Sequence, residues 1–320
     1  MLGSGTMRAH PKYDDEAGIW DPGKIAPMEP WPGLAGYARR IGPGGGLAGE
    51  LFYFDTAPDD RARPVLILIH GLGDEADTWR GLIPALAERL RVIAPDLPGF
   101  GRSSSAGATT MKRCALTLLG LMDRLGIETA WMAGSSLGAA IAELAAFASP
   151  RRVAGLALVD GGLPSSGKPA PGLLAMALPI LGSRRYTALR KDHEKAVATL
   201  YPYYGDFAQL PEDDRAFLER RVVERVESDT QRRAYLSLLR SAVGTALRGG
   251  GRFAAGLAAW NKPLALVWGS LDRIMPREGG EAIARLAPGA ALRVIEGAGH
   301  LPQQERPEEL AKLLSELIFG

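Results

Sequence analysis

The stretch Gly134-Ser135-Ser136-Leu137-Gly138 fits the pattern G-x-S-x-G with Ser136 at its centre, after an apolar run at 129–134 and before an alanine-rich segment. In that context the pattern describes a strand that turns sharply into a helix and exposes the central hydroxyl, because a side chain at either glycine would collide with neighbouring elements. Ser135 is then a bystander. A serine hydroxyl attacks a carbonyl only when a base takes its proton, and the chain has four histidines. His10 lies in an irregular amino-terminal stretch, His193 lies among charged residues, and His70 ends an apolar run. His300, in EGAGHLPQQERPEEL between the last strand and the last helix, is the candidate base.

An imidazole used in this way needs a carboxylate to fix its tautomer and stabilise its cation. Asp272, in VWGSLDRIMP, lies just past an apolar run, and Asp160 closes the run VAGLALVD. Asp272 is the first choice and Asp160 the alternative acid; the order serine, acid, histidine holds for either. The substrate oxygen that gains charge needs N–H donors. Leu137, the residue after the nucleophile, offers one, and the loop His70-Gly71-Leu72-Gly73 can turn a second backbone N–H into the site.

These residues need a scaffold. The runs at 65–69, 91–96, 129–134, 153–160, 264–269 and 292–297 are apolar without polar alternation, as expected of strands buried on both faces of a parallel sheet. Helical spacing fills 82–90, 111–125, 137–148, 276–286 and 307–318, so the order predicts an α/β fold with a doubly wound, mostly parallel sheet. Residues 37–55 add two strands around a glycine-rich turn. Gly44, Gly46 and Gly49 there match G-x-G-x-x-G, but they lie between strands and do not lead into a helix, which argues against a dinucleotide site.

Between Asp160 and Leu264 the spacing turns helical, which reads as a helical cap inserted after the sixth strand, over the carboxyl edge where ligands of such sheets bind. The expected division is an irregular arm at 1–36, a core at 37–162 and 251–320, and a cap at 163–250. Trp20 and Trp31 would pin the arm to a domain surface. The pairs Arg220-Arg221 and Arg232-Arg233 read as solvated helix faces. GLLAMALPILG (172–182) and LYPYYGDF (200–207) offer side chains either for an acyl pocket or for holding the cap to the sheet.

With 38 basic and 36 acidic side chains, a net charge of +2, the chain lacks the concentrated basic field that nucleic acid requires. The single cysteine, Cys114, can form no intramolecular disulfide. No window of about 18 residues is continuously apolar, and the amino terminus lacks the apolar core of a secretory signal, so a cytoplasmic protein without an integral membrane segment is expected. H-E-x-x-H, paired cysteines and a phosphate-binding lysine loop are all absent, and no metal or organic cofactor is expected.

HGLG at 70–73, DLPGFGRS at 96–103, GSSLG at 134–138, WGSLDRIMP at 268–276 and GAGHLPQQERP at 297–307 stand in an order that resembles the capped α/β-hydrolases over residues 37–320. The resemblance implies Ser136 as nucleophile, Asp272 as acid, His300 as base, and the N–H groups of Leu72 and Leu137 as the oxyanion hole. It makes Asp96 and Ser103 parts of a structural loop. Haloalkane dehalogenases and epoxide hydrolases of this fold use aspartate as nucleophile, so Ser136 points elsewhere. The implied reaction is hydrolysis, through an acyl-enzyme, of a small or medium uncharged ester with a hydrophobic acyl part. The rivals are a carbon–carbon bond hydrolase, whose family carries asparagine where Ser135 stands, and a cofactor-free perhydrolase or acyltransferase. From another class, a ligand receptor with slow hydrolysis is the alternative.

Overall fold

In a computed structural model the chain is described at residues 28–164, 171–248, 251–287 and 289–320. Most of the expected arm, with Trp20 and His10, lies outside the described residues. Eight strands form one sheet: β1 (Ala38–Ile41), β2 (Leu51–Asp55), β3 (Val65–Ile69), β4 (Arg91–Pro95), β5 (Ala130–Ser135), β6 (Val153–Val159), β7 (Leu264–Gly269) and β8 (Ala291–Ile295), in the order β1-β2-β4-β3-β5-β6-β7-β8. The β1–β2 and β2–β4 pairs are antiparallel and all others parallel. Gly44, Gly45 and Gly46 turn the β1–β2 connection with positive φ, and no helix follows them, so the glycine pattern there serves a turn.

Branched apolar residues bury both faces of the central strands, and each face carries its own core. One packs the helices Met111–Arg124 and Leu137–Ala148 against the sheet, and the other packs Ile83–Ala87 and Pro307–Phe319. Helix Leu137–Ala148 presents five fully buried alanines, Ala139, Ala140, Ala142, Ala145 and Ala146, and side chains this small let it approach the sheet closely. The last strand departs from expectation. It is the sheet edge, so Ala291 and Arg293 are exposed and it is not covered on both faces.

Between β6 and β7 the described residues are helical, with Pro179–Leu189, Glu212–Glu227 and Asp229–Leu247 the longest elements. They hold a small core of their own around Tyr186, Phe217 and Val222. The reading of Arg220-Arg221 as solvated is corrected: Arg220 is exposed, but Arg221 is fully buried and faces Glu75 and Asp77. It lies on the side of Glu212–Glu227 that meets the loop after β3, where buried carboxylates require a cation. Arg232 is partly exposed and Arg233 exposed. Trp31 does pin its segment: its backbone N–H donates to Asp77 Oδ1 (2.6 Å) and its ring packs edge-on against Phe217. No described helix is long and apolar enough to cross a membrane.

Candidate active site

Ser136 follows β5 with φ 54° and ψ −120°, a conformation that a side-chain-bearing residue adopts only under constraint, at a cost of about 1–3 kcal/mol. Its surroundings impose that conformation. The Ser136 N–H donates to the Val159 carbonyl (2.8 Å), and its own carbonyl accepts from Ala139 N–H (3.1 Å) to open the helix. A Cβ on Gly138 would lie 2.2 Å from the Ile69 carbonyl oxygen, and one on Gly134 would lie 2.3 Å from Gly138 backbone. Both glycines are therefore required by contact. Ser135 is buried on the other side of the turn, where its Oγ accepts from Gln303 Nε2 (3.1 Å).

His300 lies in the loop after β8, its side chain 1% exposed, with Nδ1 donating to Asp272 Oδ2 (2.8 Å). The other Asp272 oxygen accepts from Ile274 N–H (2.7 Å) and Met275 N–H (3.0 Å). Burial works to raise this carboxyl, but the hydrogen bond and charge of His300 and the Met275 N–H hold it below the usual carboxylate range. Among the described residues His300 Nε2 has no hydrogen-bond partner, and His300 lines the same cavity as Ser136. Among the described residues the two side chains are not hydrogen bonded to each other.

Asp160 also stands at this edge, with φ 46°. Its Oδ1 accepts from Gly269 N–H (2.8 Å), and its Oδ2 is buried without a partner among the described residues. Burial and the nearby Asp272 carboxylate push its carboxyl well above the usual range. Atoms of Asp160, Asp272 and His300 lie within 4.8 Å of one another, a grouping that could also hold a cation.

Leu72 lines the cavity, and Gly71 brings its loop close: a Cβ there would sit 3.2 Å from Ser136 Cβ. Neither Leu72 N–H nor Leu137 N–H donates to another group among the described residues. His70 is committed elsewhere. Its Nδ1 donates to Gly71 O (2.8 Å), its Nε2 accepts from Leu97 N–H (2.9 Å), and burial lowers its pKa, so it is neutral and holds two loops together. His193 is half-exposed and pairs with Glu227. Asp96 and Ser103 are structural: the Ser103 hydroxyl donates to the Asp96 carbonyl (2.7 Å), and the Asp96 carboxylate gathers Ala76 N–H and Arg102.

The cavity holds about 440 Å³ and opens to solvent. Met176, Leu200, Val222, Val226 and Tyr235 wall it, Arg185 enters at an exposed position, and Asp74 pairs with Arg225 (2.5 Å), which also binds Glu75. Met176 and Leu200 came from the two segments singled out for an acyl pocket, whereas Leu178 and Ile180 of the first segment are exposed.

Three features escaped the sequence. Tyr203 carbonyl accepts His300 N–H (2.7 Å), Glu305 accepts from both Gly299 N–H (2.7 Å) and Gly205 N–H (2.8 Å), and Gly161 lets the chain pass Ser136, where a Cβ would come within 2.1 Å of its carbonyl oxygen. The run of glycines after Asp160 was the one available signal.

A family model described as alpha/beta hydrolase fold matches residues 64–307. The chain is 32% identical, over 80% of its length and 93% of the relative's, to a pimeloyl-[acyl-carrier protein] methyl ester esterase of Edwardsiella ictaluri. It is 31% identical over 80% of its length to the dihydrolipoyllysine-residue acetyltransferase component of an acetoin cleaving system of Cupriavidus necator, and spans only 63% of that protein. The structure superposes with a TM-score of 0.71, at 24% identity over 88% of this chain and 98% of the other, on 2-hydroxy-6-oxo-6-phenylhexa-2,4-dienoate hydrolase from Rhodococcus sp. strain RHA1.

Proposed function

The chain belongs to the alpha/beta hydrolase fold family, and we propose that it is a serine hydrolase that cleaves a carboxylic ester with a hydrophobic small-to-medium acyl part. One observation carries this reading: a constrained serine shares a cavity with a buried imidazole whose far nitrogen is hydrogen bonded to a carboxylate, while its near nitrogen has no partner among the described residues.

Ser136 Oγ attacks the ester carbonyl as His300 Nε2 takes its proton. The Ser136–His300 hydrogen bond forms as substrate binds, since such contacts are commonly loose in the free enzyme. Leu72 and Leu137 N–H donate to the oxygen that gains charge, each contributing about 2.7–4 kcal/mol if it behaves as measured donors do. His300 returns the proton to the leaving alcohol, water adds to the acyl-enzyme by the same route, and the acid departs. Asp272 holds the imidazole tautomer and stabilises its cation. Residues 163–250 act as a cap over a core formed by 37–162 and 251–320, its apolar wall taking the acyl chain. We place the protein in the cytoplasm.

The test is labelling with a fluorophosphonate, followed by a p-nitrophenyl ester chain-length series. Labelling and turnover that vanish in Ser136→Ala and persist in Ser135→Ala support the reading. A wild type that neither labels nor turns over esters refutes it and favours a ligand receptor. Hydrolysis of a carbon–carbon bond in a 2-hydroxy-6-oxo-dienoate, the substrate type in the name of the structural neighbour, is the second reading, and assay of such a dienoate separates the two. Competition by alcohols or peroxide for the acyl-enzyme separates an acyltransferase or perhydrolase.

A further inference from the structure

Asp160 and Asp272 sit side by side, but their partners differ. Asp272 has His300 and two backbone N–H donors. Asp160, fully buried, has one N–H donor among the described residues, and its Oδ2 has none there. The ionisable groups facing Asp160 from the packed elements are Asp272 after β7, His300 after β8 and Glu305 on the short helix that follows. Glu143, on helix Leu137–Ala148, reaches the same loop at Leu163. Three of these four are acids, and the one base is already bonded to Asp272. Two adjacent buried carboxylates do not both ionise, and the proton settles on the one with fewer donors.

We propose that Asp160 is a positioning residue, a neutral carboxylic acid whose hydroxyl donates to the Asp272 carboxylate and extends the pair Asp272–His300 into a chain of three. This rests on the reading of Ser136 and His300 as nucleophile and base. The donated hydrogen bond disperses charge on Asp272 without removing it, and it fills the last lone-pair direction not taken by His300, Ile274 or Met275. The imidazolium is then held less tightly than by a bare carboxylate, and His300 gives its proton to the leaving group more readily. No heavy-atom bond changes, and the Asp160 proton stays on Asp160.

The test uses the full chain with Asp160→Asn and Asp160→Gly, both residues that accept positive φ. The readouts are the pH profile of kcat/KM on a p-nitrophenyl ester, titration of His300 by NMR of 15N-histidine-labelled protein without substrate, and thermal unfolding. Asn keeps a neutral donor, so the acid limb and the His300 titration stay in place. Gly removes the donor, which moves both to higher pH and lowers kcat about tenfold with little change in KM. A shift to lower pH in Asp160→Asn means that Asp160 is ionised in the wild type and overturns the proposal. So does an Asp160→Gly that folds and titrates as the wild type. An increase in turnover or unfolding temperature with Zn²⁺, reversed by EDTA, would assign the cluster to a cation and overturn it too. If no ester is turned over but the NMR titrations behave as stated, the ester reading fails while the proton arrangement stands.

Discussion

Arg225 meets Glu75 at two points, Nε to Oε2 at 2.6 Å and Nη2 to Oε1 at 2.7 Å, and so ties the inserted helix Glu212–Glu227 to the loop after β3. Asp74 joins the same guanidinium, and Arg221 stands behind it. Burial alone would raise the Glu75 carboxyl; the charge and hydrogen bonds of Arg225, with Arg221 and Arg102, bring it down to about 2.

Removing that cation leaves the Asp74 carboxylate without its ion pair and Glu75 with the more distant Arg221 alone. Arg225→Met is expected to lower stability by about 3–5 kcal/mol, read by denaturant or calorimetric unfolding.

The same pair has a pH signature. Because the folded-state value lies below the ordinary 4.5, its stabilisation is complete above pH 4.5 and is lost as pH falls from there toward 2. The stability difference between wild type and Arg225→Met should shrink over that window, and a difference that stays constant would contradict the assignment.

Glu143 behaves in the opposite sense. Its Oε2 accepts from Leu163 N–H (2.8 Å), its Oε1 has no partner among the described residues, and burial pushes its carboxyl well above the usual range. The folded state holds a proton that the unfolded chain releases near 4.5, so stability falls as pH rises from about 4.5 toward the raised value. Glu143→Gln keeps the acceptor and removes the titration. Its stability should gain on that of the wild type as pH rises above about 4.5, as followed by urea unfolding at each pH.

Gly138→Ala should be severe for a reason unrelated to helix propensity. The added methyl has no room beside Ile69 O and His70 O (2.2 and 2.6 Å), so either the elbow shifts or the fold gives up about 1–3 kcal/mol or more. Fluorophosphonate labelling would be slowed even where the variant remains folded by circular dichroism.

Asp272→Asn is expected to lower kcat by about 10⁴-fold, since an amide no longer selects the imidazole tautomer that leaves Nε2 able to accept a proton. Steady-state assay on a p-nitrophenyl ester checks it.

Much of this site was readable from local pattern. Five buried strands and the G-x-S-x-G turn are signalled by contiguous residues, and His300 and Asp272 fall on loops that the alternation of strands and helices brings to one edge. Less legible were relationships between distant segments. Arg221 looks like any surface arginine until Glu75 and Asp77 are placed beneath it, and Asp160 looks like a spare acid until its distance to Asp272 is known. Strand β8 reads as buried because Leu292, Val294 and Ile295 are apolar, yet edge position is set by strand order, which hydrophobicity does not encode.

Part of the socket around His300 is built by the segment between β6 and β7: Tyr203 holds its backbone, and Glu305 links its loop to Gly205. On the proposed roles, the cavity wall and the seat of His300 are thus parts of one mechanical unit. Transplanting only the inserted helices between relatives to change specificity would carry along a foreign seat for the histidine, so a functional exchange must take the 297–305 loop with them.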